Sequence, residues 1–311
     1  MQDTASATTK WGDIGDWDTN GVKDFSYAFS INRNQAGGSF VSNGNPKAVT
    51  FVGTAISKWI TTSVTSLQNT FTKASAMNVD LSGWKVGKVT SLDGTFDGAS
   101  KFAGTGLDSW DTSSVTRLAS TFWDAREMNA DLTGWKVDRV TSLHWTFYSA
   151  SKFTGAGLDS WNTEAVKSLS DTFREAGEMN SDLSKWKTAQ VVMLKNTFKS
   201  ASKFTGAGVD LWDVSKVTDM DSTFSAATSL TACSKRKIAD AWKSNSAFTD
   251  TNYDTDWADE TCVKVRGYSD DEGACCRRGI CLVQNLSVCL FILIDSEKPA
   301  KESVRDCLFC I

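Results

Sequence analysis

The stretch Leu107 to Phe122 reads L-D-S-W-D-T-S-S-V-T-R-L-A-S-T-F, and the chain repeats it. Its Trp recurs as Trp59, Trp84, Trp110, Trp135, Trp161, Trp186 and Trp212, at steps of 25, 26, 25, 26, 25 and 26 residues. A fixed period in this range is the signature of a stacked repeat architecture. Counting each Trp as position 0, a Val stands at +5 (Val64, Val89, Val115, Val140, Val166, Val191, Val217). Leu or Met stands at +8 (Leu67, Leu92, Leu118, Leu143, Leu169, Leu194, Met220). Phe71, Phe96, Phe122, Phe147, Phe173, Phe198 and Phe224 occupy +12, and Ala +15. Steps of three, four and three place these residues on one stripe of a short helix, which Thr, Ser, Asp or Asn ahead of the Val can cap. Trp and the Val or Thr at +2 alternate with strand period. The expected fold is therefore an α/β repeat solenoid, a leucine-rich-repeat-like stack. Each 25/26-residue coil supplies one short strand and one short helix, and neighbours bury what a single coil cannot.

Around this array the chain divides by composition. Residues 1–10 are small and polar and are expected to be disordered. The array spans 11–230, since Trp17, Val22, Phe25 and Phe29 match a first coil. The longer step to Trp59 contains an insertion at about 30–55, read as a projecting loop with either a functional or a merely tolerated role. From Trp59 onward the coils alternate between A-S-K-F-T-G-A-G-L-D-S-W and A-x-E-M-N-x-D-L-x-x-W-K types. This sets Lys85, Asp111, Lys136, Asn162, Lys187 and Asp213 in one column and Lys101, Glu127, Lys152, Glu178 and Lys203 in another. Opposite charges on adjacent coils would control register.

Residues 231–262 carry Ile238 and Trp242 four apart, an amphipathic helix suited to a C-terminal cap. Residues 263–311 are a Cys-rich tail, expected to be poorly ordered, with a disulfide-linked appendage and a metal site as the competing readings. Cys307 and Cys310 have C-x-x-C spacing, but Cys275, Cys276 and Cys281 make no second pair, so the zinc signal is weak.

Composition narrows the function. The formal charge of −4 predicts no general affinity for nucleic acid. A single His, His144, excludes chemistry that needs two imidazoles. No G-x-S-x-G, H-E-x-x-H, P-loop or dinucleotide fingerprint occurs, so no enzyme and no cofactor is expected. No apolar run reaches the ~18 residues of a membrane helix, and the first residues lack the apolar core of a signal peptide. All eight Cys lie from Cys233 onward; a disulfide between Cys233 and Cys262 requires a compartment outside the cytosol.

The informative irregularity is aromatic. At +10, where other coils carry Asn69, Gly94, Ser120, Asp171, Asn196 and Ser222, one carries Trp145. At +13, two adjacent coils carry Trp123 and Tyr148, and the next carries Arg174. These positions lie off the Val-Leu-Phe stripe. With His144 they form a candidate exposed contact patch, because aromatics and Arg dominate binding hot spots; the alternative is that the rings only cover grooves between coils. The repeating Asp80, Asp108, Asp131, Asp159, Asp182 and Asp210 are spread one per coil, which suits turns and caps better than the convergent oxygens of a calcium site.

The coil W-D-T-S-x-V-T-x-[LM]-x-x-x-F-x-x-A-x-x-F resembles the repeats of BspA-like leucine-rich-repeat surface proteins, which also occur in mycoplasma lipoproteins and microbial eukaryotes. The resemblance covers about 245 of the 311 residues, from Trp17 to Cys262. This chain often has Thr-Phe where many relatives have Met-Phe. The resemblance implies a solenoid at a cell surface or outside the cell, used for adhesion, with a protein or glycan as partner. It carries no catalytic residues. A structural spacer without a ligand and an intracellular protein-interaction scaffold are the alternatives.

Overall fold

The computed structural model describes residues 9–10, 12–34 and 40–260 in full, and the backbone alone of 261–263, 274–277, 280–282 and 292–293. Most of the N-terminal segment 1–10, and most of the tail with its C-x-x-C pair, lie outside the described residues.

The coils stack, but not as strand and helix. In the described part of 11–230 the only elements longer than a turn are short 3-10 segments, such as Pro46–Thr50, Thr54–Lys58, Leu107–Ser109, Leu158–Ser160 and Val209–Leu211. No strand forms at Trp and +2; among the described coils there are only isolated parallel bridges, one residue per coil at +7 and so inside the expected helix, at Asp24, Ser66, Ser91 and Arg117, and again at Ser142, Ser168, Met193 and Asp219. The α/β reading of each coil is thus overturned. In the coil of Trp59, the amides at +11, +13 and +15 close three-residue turns (Thr70 N to Leu67 O, 3.1 Å; Thr72 N to Asn69 O, 3.4 Å; Ala74 N to Phe71 O, 2.9 Å). The amides between them cross to the next coil: Leu67 to Ser91 O, Asn69 to Asp93 O, Phe71 to Thr95 O and Lys73 to Asp97 O. Alternate amides thus serve the turn and the stack, and together they meet the backbone's need for partners.

The reason is local chemistry that an apolar count does not register. Positions +10 and +14 take left-handed backbone: φ is +54° at Asn69, +56° at Lys73, +54° at Asp171 and +54° at Asn196. A left-handed third residue marks a type II turn. Asn, Asp, Ser and Gly, which fill most of these positions, tolerate it and disfavour helix interiors. The turns still direct +5, +8, +12 and +15 inward, so the helical spacing and the turn run make the same apolar prediction.

At +2 the side chain replaces the strand. The Thr61 hydroxyl accepts from Lys85 N at 2.6 Å and donates to Lys85 O at 3.2 Å; Thr112 does the same for Lys136, and Thr163 for Lys187. The Thr at +11 is the other half of the Thr-Phe pair. Thr146 is fully buried, and its hydroxyl reaches Leu143 O at 2.7 Å in its own coil and Leu118 O at 3.1 Å in the one before. A thioether at this position could not donate at all.

Two aromatic columns fill the interior. The Trp residues from Trp59 to Trp212 and the Phe residues from Phe71 to Phe224 are at most 6% exposed. Adjacent Phe rings stack at 5.5–5.7 Å. Each indole N–H donates to the preceding coil, as Trp135 does to Leu107 O at 2.9 Å and Trp186 to Leu158 O at 2.8 Å. In the Gly-rich coil type, Gly157 (φ +87°) enters its 3-10 turn so close to the coil beneath that a Cβ would stand 2.1 Å from Thr133 N.

The inserted loop is pinned at its base, with Val41 N bonding Asn32 O and Asn45 N bonding Ile31 O. By Phe51, which stacks on Phe29 at 4.3 Å, the chain has rejoined the stack. The charge columns do not pair as their alternation suggested: Lys187 pairs with Glu164 at 3.1 Å, and Lys185 with Asp159 at 3.3 Å.

At the C-terminal end, α1 (Ala232–Trp242) starts on Thr231, whose hydroxyl accepts from Ser234 N. It lays Trp242 on Trp212 (6.4 Å) and Phe224 (5.8 Å). Two short helices, α2 (Ser246–Thr249) and α3 (Tyr253–Asp256), add Phe248, Tyr253 and Trp257 to this lid. Beyond it, β1 (Glu260–Val263), β2 (Ala274–Arg277), β3 (Ile280–Leu282) and β4 (Ile292–Leu293) pair antiparallel in chain order. Cys233 is disulfide-bonded; the side chain of Cys262, its expected partner, lies outside the described residues.

Candidate interaction surface

Positions +9, +10, +13 and +14 form the outer face of the turn run, and in the central coils this face is aromatic. Trp123 stands 5.2 Å from Trp145 and 5.6 Å from Tyr148, with ring planes tilted by 34–36°. The His144 ring lies 4.0 Å from Trp145, and its Nδ1 is 3.1 Å from Ser170 O. The Arg174 guanidinium carbon sits 4.9 Å from the centre of the Tyr148 ring. All five residues of the candidate patch therefore meet in one cluster across three coils. Each is half-buried: the rings lean into the grooves between coils while part of every one faces out.

Trp145 shares the backbone of its counterparts but not their small or polar side chains. It holds φ +56°, the left-handed value of the +10 position. Asn, Ser, Asp and Gly occupy that position in the other coils from Trp59 onward, and the first coil has Tyr27 there at φ +60°. A bulky side chain with this φ is an outlier that costs ~1–2 kcal/mol. The bridge series runs from Ser91 to Arg117 and resumes from Ser142 to Ser168 without the step from Arg117 to Ser142, while the bonds from Ser120 N to His144 O, Phe122 N to Thr146 O and Asp124 N to Tyr148 O hold the same two coils together at 2.8–3.0 Å. Arg117 instead turns its guanidinium onto Asp93 of the coil below.

Acidic groups flank the rings. Tyr148 donates its hydroxyl to Glu175 (3.4 Å), and Ser149 donates to the same carboxylate at 2.8 Å. Arg174 bonds Asp171 at 3.2 Å and lies 3.5 Å from Glu175. Burial, followed by the Glu175 charge, raises the Tyr148 phenol above its ordinary value. On the other side of Trp123 lies Asp97, whose carboxyl is pushed up to about 6; burial is the cause, opposed by Lys73 and aided by Asp124. Glu175 and Asp97 were not singled out from sequence. Glu175 follows Arg174 at the left-handed +14 position, and this adjacency was the only available signal.

Three of the six repeating carboxylates serve the backbone. Asp80, Asp131 and Asp182 accept from the amides of Ser82, Thr133 and Ser184 at 2.8–2.9 Å. Among the described residues no group of three or more His, Cys, Asp or Glu could hold a metal ion, and no helix is long and apolar enough to cross a membrane.

No curated protein and no solved structure matches the chain. A family model does match, twice in tandem, over residues 40–157 and 141–257. Each copy takes in several coils, and together they span the stack beyond its first coil and most of its cap. The chain therefore belongs to the repeat family described as Mycoplasma protein of unknown function, DUF285.

Proposed function

We propose that this chain is a non-enzymatic interaction module that binds a protein or glycan at a cell surface or outside the cell, through Trp123, Trp145 and Tyr148 with His144 and Arg174 at their edge. The observation that carries this reading is Trp145 in left-handed backbone. Strain of this kind persists where surrounding structure holds it, and it clusters at functional sites. A spacer would gain by placing Asn, Ser, Asp or Gly there, as the other coils from Trp59 to Trp212 do. The half-exposed rings offer the large, rigid contact area typical of binding anchors, and the flanking carboxylates and Arg174 add hydrogen-bonding groups at the rim.

The resemblance to BspA-like surface repeats and the oxidised Cys233 favour an oxidising, surface setting. The test uses the labelled full chain on a glycan array and on immobilised extracellular-matrix proteins, beside a variant with Trp145→Ser and Tyr148→Ser. Binding that the folded variant loses supports the proposal. Binding of equal strength by the variant removes the cluster from the account.

A further inference from the structure

In the inner coils the amides at +8, +10, +12 and +14 look toward the C-terminal end of the stack and find carbonyls on the next coil, with Leu118 at +8 of the Trp110 coil the exception. The coil of Trp186 is the last to do so completely: Leu194 bonds Asp219 O, Asn196 bonds Asp221 O, Phe198 bonds Thr223 O and Ser200 bonds Ser225 O, at 2.8–2.9 Å. The coil of Trp212 has no successor. Its Phe224 amide is capped by the Tyr253 hydroxyl at 3.1 Å. The amides of Met220 and Ser222 have no acceptor among the described residues, although Met220 is only 1% exposed. A buried donor in that condition costs ~1–3 kcal/mol.

These amides border a cavity of about 470 Å³ between the last coil and the cap, closed on the far side by Ala247, Asp250 and Tyr253. Three carboxylates line it, Asp219, Asp221 and Asp250. Asp219 accepts the Asp221 amide, and Asp221 meets Lys195 at 3.3 Å. Asp250 makes no ion pair among the described residues.

We propose that this cavity is a docking site for a short extended peptide with basic side chains. Two of its carbonyls, two residues apart, accept from Met220 N and Ser222 N in the place that the +7 and +9 carbonyls of a further coil would take. This is strand addition carried out on a ladder of turns. The charge of the lining selects the side chains: Lys or Arg finds Asp219 and Asp250, and an acidic peptide is repelled. The site lies at the end of the stack, away from the aromatic cluster, and stands or falls independently of it.

The test titrates full-length protein with two fluorescein-labelled probes, acetyl-Lys-Thr-Lys-Thr-Lys-amide and acetyl-Glu-Thr-Glu-Thr-Glu-amide. Anisotropy reads affinity, and residue-resolved amide exchange reads Met220 and Ser222. The Lys probe should bind, weaken with added salt, and slow exchange at both amides; the Glu probe should do neither. Asp250→Lys, on the exposed surface of the cap, should reduce affinity at least tenfold while leaving the unfolding midpoint unchanged, and Trp145→Ser with Tyr148→Ser should leave this binding intact. Undiminished binding to Asp250→Lys, equal binding of both probes, or amides already protected in the free chain would each overturn the proposal.

Discussion

Replacing Trp135 with Ala removes one ring from the middle of the column. The indole is 1% exposed, stacks on Trp110 at 6.2 Å and lies 5.8 Å from Phe122. A buried Trp takes ~150–250 Å² from water, worth ~4–6 kcal/mol as an upper bound at ~25 cal/mol/Å². The indole N–H bond to Leu107 O adds about 1 kcal/mol. Its loss leaves no orphan, because Leu107 O keeps the Trp110 amide at 3.2 Å. Partial collapse of the coils around the void offsets some of this, and the net expectation is about 4 kcal/mol. Trp135→Phe keeps most of the ring and should cost only about 1–2 kcal/mol. Urea unfolding followed by far-UV circular dichroism measures both. In Trp135→Ala the transition should also separate into two steps, since a weakened central coil uncouples the coils on either side. A cost below about 2 kcal/mol for Ala, or equal costs for Ala and Phe, would refute the reasoning that ring burial holds the stack.

Two further outcomes follow from local geometry and charge. Gly157→Ala must place a Cβ against the Thr133 backbone in left-handed conformation, and should cost about 3 kcal/mol, more than the ~1–2 kcal/mol of the conformation alone. Gly21→Ala has a similar φ of +87° but open space around it, and should pay only the conformational part; equal losses in urea melts would contradict the close approach. Asp97 has a folded pKa of about 6, above the ordinary ~3.9, so the native state holds its proton where the unfolded chain has released it. Its contribution to stability therefore grows as pH falls from 7 through 6 and is lost as pH rises through 6. The carboxylates of Asp80, Asp111, Asp131, Asp213 and Asp221, lowered by bonds from neighbouring Ser or Thr, act in the opposite direction, but only at lower pH. Asp97→Asn should raise stability at pH 7 by up to about 3 kcal/mol, at ~1.36 kcal/mol per pKa unit, and flatten the change between pH 7 and 5. A variant less stable than the parent at pH 7 would contradict it.

The period, the Trp and Phe columns and the meeting of Trp123, Trp145 and Tyr148 were legible because each depends on spacing alone. Stacked coils bring equal positions together whatever the local backbone does. The element type was not legible from the same spacing. Val, Leu, Phe and Ala at +5, +8, +12 and +15 satisfy both a helical stripe and a run of turns, and hydrophobic periodicity cannot tell them apart. The deciding residues were the polar ones. Asn69, Asp171 and Asn196 at the left-handed +10 position argue against a helix interior, and Thr70 and Thr146 at +11 supply donors that a helix does not require. Ion pairing departs from the column alternation for a related reason: long side chains choose partners by reach, so Lys187 meets Glu164 instead of the column neighbour Asp213. The unpaired edge at Met220 and Ser222 had no sequence signal, because an amide lacks an acceptor only in relation to where the next segment folds.

The most direct test of the central claim sets stability beside binding for two pairs of aromatic residues. Trp145→Ser with Tyr148→Ser should leave a cooperative, folded stack, because the relief of left-handed strain, ~1–2 kcal/mol, offsets part of the lost contact, yet it should abolish attachment to the glycan or matrix surface that the parent chain recognises. Trp135→Phe with Phe122→Leu should do the reverse, lowering the unfolding midpoint while the remaining folded protein still binds. Loss of folding in the first variant, with binding and stability falling together in both, would mean that the outer cluster is only more core, and would contradict the account.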